Sequence, residues 1–207
     1  LTKTFTRHKQ TVEAVRGQAH LPGQSVLGEF LVNLGSALSA NVTGGQIEGE
    51  SYQLVEARDM KTECGSFDIT EGKINSSTDA VIQATFLECV VRNHAGEPLE
   101  GCEFKQLGAV SLAALVLPIL HGGEAFLLFE PLSGGVFTTI SFKANQGCVL
   151  ALNNPVGGSV VAKVNALDAV TQTLVFSEAN QLLTGDVLKY GALNNSSYLN
   201  GSMTFEL

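Results

Sequence analysis

From Gly108 to Leu207, short runs of β-branched, aromatic and aliphatic residues recur between turns rich in glycine and asparagine. The runs cover residues 124–129, 136–142, 148–152, 159–164, 173–176, 186–190 and 202–207. Ser133-Gly134-Gly135, Asn153-Asn154-Pro155 and Asn194-Asn195 punctuate them, because these residue types adopt the backbone angles that turns demand. The pattern predicts a mainly β chain of antiparallel sandwich or barrel modules. Upstream it continues over residues 51–56, 64–69, 73–75 and 80–89, with polar turns between. Alternation across Val81-Ile82-Gln83-Ala84-Thr85-Phe86-Leu87 is only partial, which predicts a strand covered on both faces.

Two segments read differently. Val26, Leu27, Phe30, Leu31, Leu34, Ala37 and Leu38 recur at helical spacing, with Ser25 placed to cap the first turn. The same residues suit a strand pair broken at Gly28 and Gly35, so one short helix near residues 25–39 and a strand pair both stay open. Residues 2–15 mix Thr4, Thr6 and basic side chains with Phe5, Val12 and Val15, and predict an extended amino-terminal arm. The resulting organisation is an arm over residues 1–16, a first β module over 17–107 and a second over 108–207, with one continuous domain as the alternative. The apolar stretch 109–120 contains Pro118 and is shorter than the roughly twenty residues a membrane-spanning helix needs, so it is expected in the core.

Composition then narrows the class. A chain of 207 residues with 44% hydrophobic residues can bury a sizeable core. Charged residues make up only 15% and tryptophan is absent, a texture that suggests an extracellular or surface protein. The net charge of −8 opposes nucleic-acid binding, since a phosphate backbone requires clustered Lys and Arg. Lys3, Arg7, His8, Lys9 and Arg16 form a modest basic cluster, expected as a solvated or partner-facing strand. The chain starts at Leu1, which leads to the expectation of a processed product that has lost a secretory leader.

Cys64, Cys89, Cys102 and Cys148 are even in number and lack the close spacing of a zinc or thioredoxin-type motif. Disulfides are the expected use in a secreted chain. Of three possible pairings, Cys64–Cys89 and Cys102–Cys148 join neighbouring β segments; the chain-entropy model gives roughly 3.5 and 4 kcal/mol for loops of those sizes. A metal site lacks ligands: His94 lies between Cys89 and Cys102 in sequence, but no second histidine stands at ligand spacing.

Catalytic patterns are thin. His121-Gly122-Gly123 has the form of an oxyanion-hole motif, yet no Gly-x-Ser-x-Gly elbow accompanies it, and a turn is the expected role. Asp59, Glu63, Asp68, Glu71 and Asp79 lack the central glycine of a calcium loop and fit a solvated β edge. Asn41, Asn75, Asn194, Asn195 and Asn200 begin Asn-x-Ser/Thr triplets, which matter only in a host that glycosylates them. Phe126, Leu128, Phe137, Ile140 and Phe142 are candidates to line an apolar cavity, with a filled core as the stronger expectation.

The run from His121 to Leu132, the strand from Gly135 to Phe142, Cys148 and Gly158-Ser159-Val160-Val161-Ala162 together resemble a group of uncharacterised secreted bacterial β-proteins with widely spaced cysteine pairs. The resemblance covers about the last hundred residues and implies export and a β fold; it carries no activity, cofactor or site residue.

The sequence therefore predicts a non-enzymatic protein, secreted or at the cell surface, with no cofactor, no nucleic-acid partner and no membrane-spanning segment. Its expected role is structural or adhesive: a homo-oligomer or polymer, such as a filament or surface-layer subunit. In that reading the arm carrying Phe5, Val12 and Val15 adds a strand to a neighbour. The alternative is a secreted binding module for an apolar ligand or a glycan.

Overall fold

A long hairpin organises the chain. In the computed structural model, residues 3–6, 26–27, 29–32, 40–41, 43–46, 51–56, 60–76, 78–144, 147–165, 171–181, 188–191 and 195–206 are described. The hairpin joins β7 (Lys61–Ile74) to β8 (Ala80–Arg92), with Cys64 opposite Cys89 and Phe67 opposite Phe86. Along β7 the buried side chains are Thr62 and Cys64, then Phe67 and Ile69, and at its end Ile74, so the two-residue alternation slips first at Gly65-Ser66. β8 slips at the matching place, since Phe86 and Cys89 are both buried while Leu87 and Glu88 are exposed. Glu88 makes this possible with a left-handed φ of 56°. The next amide, Cys89 N–H, donates to Gly108 O at 2.8 Å. Because both strands change phase together, the disulfide and the aromatic pair share one inner face.

β9 (Val110–His121) pairs with β8 through residues 110–116 and with β2 (Val26–Leu27) at Ile119 and Leu120. Pro118, which has no N–H to give, falls in the gap between those two partners. A two-residue turn, Gly122-Gly123, leads back into β10 (Glu124–Pro131); both glycines have positive φ, 59° and 88°, as a tight turn matched to strand twist requires. The His-Gly-Gly motif is thus a hairpin turn.

β13 (Val160–Asn165), β14 (Thr171–Phe176) and β16 (Asn195–Glu206) continue the antiparallel order. The other edge of β16 meets β5 (Thr43–Gln46) and β6 (Tyr52–Glu56), and both of these pair with β7. The sequence of staves β7, β8, β9, β10, β13, β14, β16 and the shared β5/β6 position therefore closes on itself as an eight-stranded antiparallel barrel. Among the described residues every stave of the wall has a strand partner on both sides over part of its length. At Gly108, where composition suggested a module boundary, strands from either side pair directly.

A branch departs from the barrel at the start of β16. There β15 (Leu188–Tyr190) takes over the edge that β14 occupies further along, β12 (Asn153–Gly157) pairs with β15, and β11 (Val136–Ser141) pairs with β12. The branch is tied down by the Cys102–Cys148 disulfide and by the packing of Phe104 on Phe142, ring centroids 5.2 Å apart. A short helix, α1 (Glu178–Gln181), lies between β14 and β15, and its Gln181 side chain donates to Ser159 O at 2.6 Å. β4 (Ala40–Asn41) extends the end of β7, while β1 (Lys3–Thr6) and β3 (Glu29–Val32) form a separate pair.

Several expectations change. The described residues of the 25–39 segment are the strands β2 and β3, not a helix: spacing of apolar side chains allowed both, and backbone bonding to β9 and β1 decides. Asn153-Asn154-Pro155 is strand rather than turn, and no strand covers residues 148–152; the Cys148 disulfide and the Phe142 N–H to Leu152 O bond hold that stretch instead. Asn195 opens β16. Phe5 lies in β1 opposite Phe30 of the same chain, whereas Val12 and Val15 fall outside the described residues.

Candidate functional site

The barrel interior has two halves of different character. At one end Ile74, Ala80, Val116, Leu127, Ala162 and Leu174 are each at most 2% exposed and fill the lumen with side chains. Nearer the branch the interior is hollow: an apolar chamber of about 100 Å³ is lined by side chains from most of the barrel's staves and from β11, β12 and β15. Eight staves give an interior narrow enough for side chains to fill, and this barrel is filled at one end and hollow at the other.

The chamber is built from inward-phase residues. On one wall Tyr52, Phe67 and Phe86 form an aromatic cluster with centroid separations of 4.8 to 5.6 Å. Across it stand Phe129 and Phe176, 5.7 Å apart. Small residues create the space between: Ala84 and Ala114, both buried, face the hollow from the paired strands β8 and β9. The branch supplies Phe137, Ile140, Val156 and Leu188. Half-buried Leu54, Leu112, Phe137, Thr138 and Leu199 mark the solvent-side rim.

The hydroxyl-bearing side chains of the lining are Tyr52, Thr62 and Thr138. Thr62 lies between Leu54 of β6 and Val91 of β8 on the inner face of β7, 3% exposed, and its hydroxyl finds no hydrogen-bond partner among the described residues. Burying a hydroxyl unbonded costs about 1–3 kcal/mol in proteins.

Of the five apolar candidates read from sequence, Phe137 and Ile140 line the chamber. Phe126 and Leu128 point the other way, into a satellite cluster with Ile119 and Val161, because Ala125, Leu127 and Phe129 occupy the inward phase of β10. Phe142 packs on Phe104. Sequence reasoning missed Thr62, Tyr52 and Phe67; the available clue was the inward phase shared by Thr62 and Cys64. Disulfides join Cys64 to Cys89 and Cys102 to Cys148, the pairing favoured from sequence, and the described residues include no free cysteine. Such bonds are characteristic of an oxidising environment.

The acidic stretch spreads along the outside of the barrel. Glu63 pairs with Arg92 at 3.1 Å, Glu71 accepts from Gln83 at 2.8 Å, and Asp79 accepts from Asn75 at 3.1 Å; Asp68 is exposed and Asp59 is outside the described residues. Among the described residues no three His, Cys, Asp or Glu side chains gather as metal ligands would. A second cleft of about 460 Å³ lies outside the barrel, between β8 and the loop carrying Cys102, Phe104 and Leu107. No helix among the described residues is long and apolar enough to cross a membrane.

Compared with known proteins, the chain matches no family model, no curated protein and no solved structure.

Proposed function

We propose that this protein is an exported, non-catalytic β-barrel that binds a small apolar molecule, or the apolar end of a larger one, in its interior chamber. The observation that carries this reading is a hollow lined by aromatic and aliphatic side chains inside a wall that is otherwise closed. An apolar cavity stays dry, so a ligand entering it displaces little ordered water; cavities on the order of 150 Å³ take up benzene, and this smaller chamber of about 100 Å³ has a half-buried rim at Leu54, Leu112 and Leu199 over which a ligand of that size extends. The chamber's chemistry favours an apolar ligand over a glycan, whose many hydroxyls would meet few partners there. Export is supported by the two disulfides.

Toluene is a suitable probe. Calorimetric titration should show saturable binding with Kd on the order of 0.1–1 mM, about 4–5.5 kcal/mol. A purified protein that takes up neither toluene nor any smaller apolar probe has no accessible chamber, and the proposal fails.

Assembly by strand addition is a second reading, favoured by one observation: β11 bonds on one side to β12, and its other edge, bonded at Ser141 O by the Lys105 N–H, pairs with no named strand among the described residues. Regular filaments in electron micrographs of the native protein would support a structural subunit, and a monodisperse monomer in solution would oppose it.

A further inference from the structure

We infer that ligands reach the chamber through a slot between β9 and β11, and that the molecule taken up is an unbranched apolar chain whose polar end stays outside at that slot. The inference rests on the proposed ligand-binding role of the chamber and specifies the route and the class of ligand.

The slot is a place where neighbouring strands do not bond. β10 pairs with β9 only as far as Ala114, so residues 110–113 of β9 pair with β8 alone. β11 runs beside β9 with Cα atoms within 8 Å, yet among the described residues no backbone hydrogen bond joins residues 110–112 to residues 136–140. The gap has fixed ends: Leu132 N–H donates to Ala113 O at 3.4 Å, and Lys105 N–H donates to Ser141 O at 2.8 Å. Its two sides carry three half-buried residues of the chamber lining, Leu112 on β9 and Phe137 and Thr138 on β11. Leu132 and Val136, 47% and 40% exposed, give it an apolar outer lip. Parting β9 from β11 between those ends breaks no ladder bond, whereas parting two paired staves breaks several.

The other half-buried stretch of the rim is spanned by bonded structure. Leu54 is paired on one side with Thr62 and on the other with Leu199. Leu199 lies between the parts of β16 that pair with β15 and β14, and α1 packs against that strand. The helix is held by Asn180 Nδ2, which donates to Val175 O at 2.8 Å, and by Gln181 on Ser159 O.

The class of ligand follows from the lining and the size of the hollow. A polar group carried inside would give up its bonds to water among side chains that are nearly all apolar. A chamber of about 100 Å³ takes the end of a chain and leaves the rest to cross the slot. A methylene chain is the narrowest apolar shape and suits a gap between adjacent strands.

The test titrates the protein with straight-chain butanol, hexanol and octanol, with toluene as the compact control, and then with an octanoate ester of a hydroxy-nitroxide. Affinity should rise roughly threefold per methylene while the chain fills the chamber and then level off, with octanol still bound. The bound nitroxide should speed relaxation of the Leu112 and Thr138 amide protons several-fold more than that of Leu54 and Leu199. Toluene binding with octanol and the ester rejected would show a closed chamber and overturn this inference while leaving the chamber reading intact. A nitroxide effect strongest at Leu54 and Leu199 would overturn the route. Failure of toluene and every alcohol to bind would remove the chamber reading and this inference with it.

Discussion

At the scale of single residues, two left-handed positions that are not glycine shape this protein in opposite ways. Glu88, at φ 56°, redirects the Cys89 amide to Gly108 and so sets the phase of the disulfide-bearing strands. Leu107, at φ 52° and 89% exposed, sits in the turn just before Gly108 and buries almost none of its side chain. A left-handed backbone costs a residue with a bulky side chain roughly 1–2 kcal/mol, and asparagine tolerates it better. Leu107→Asn should accordingly stabilise the fold by about 0.5–1 kcal/mol, measured by urea denaturation; a loss of stability would mean that Leu107 makes an apolar contact after all. Sequence alone marked neither position, because nothing in the identity of Glu or Leu announces a positive φ.

At the scale of elements, the closing stave is the vulnerable one. β5 threads between β16 and β7, where an added Cβ at Gly44 would stand 2.4 Å from Thr204 O and 2.8 Å from Ile69 Cδ1. A backbone oxygen in a paired strand cannot step aside. At Gly65 the corresponding clash, 2.7 Å, is with Glu88 Oε2, the far end of a flexible side chain. Gly44→Ala should therefore cost about 2–4 kcal/mol and Gly65→Ala under about 1 kcal/mol, which paired thermal melts would resolve; equal costs would contradict the tight closure. The branch is the second such element. Replacing Cys102 and Cys148 together by alanine should lower stability by about 4 kcal/mol on the chain-entropy model, since the bond closes a loop across 46 positions. Because β11 supplies Phe137 and Ile140, the same variant should weaken toluene binding under conditions where it remains folded. Unchanged affinity would show that the branch holds its place without the disulfide.

At the scale of the whole molecule, the division of the lumen into a packed half and a hollow half makes substitutions at the two ends behave oppositely. Ala114→Leu adds side-chain volume where there is room, so it should abolish toluene binding while leaving stability unchanged or raising it by about 0.5–2 kcal/mol. Leu174→Ala, in the filled half and 0% exposed, should cost about 2–5 kcal/mol through the cavity it leaves. Calorimetry combined with chemical denaturation checks both. A destabilised Ala114→Leu protein would indicate that the chamber collapses rather than persisting as a space.

The amino-acid sequence determined the class of this fold and much of its local detail. Period-two patterning marked β6, β10, β11, β13 and β14 within a residue or two, and turn residues marked the hairpin at Gly122-Gly123. Cysteine spacing favoured the two disulfides that form. These are decided by interactions between residues near one another along the chain, or by the few partners that four cysteines allow. Tertiary structure alone decided the rest. Asn153-Asn154-Pro155 has the composition of a turn and becomes strand because β11 lies beside it. Val26 and Leu27 bond to β9, more than ninety positions away, and that bonding overrides helical spacing. Barrel closure depends on Thr204 meeting Gly45 across 159 positions, a separation at which no local pattern carries information. Thr62 alternates in phase with Cys64 as any inward residue would. Only the convergence of strands from both ends of the chain gathers Thr62 with Tyr52, Ile140 and Met203 around one apolar chamber, because burial and bonding are properties of the surroundings and not of the residue.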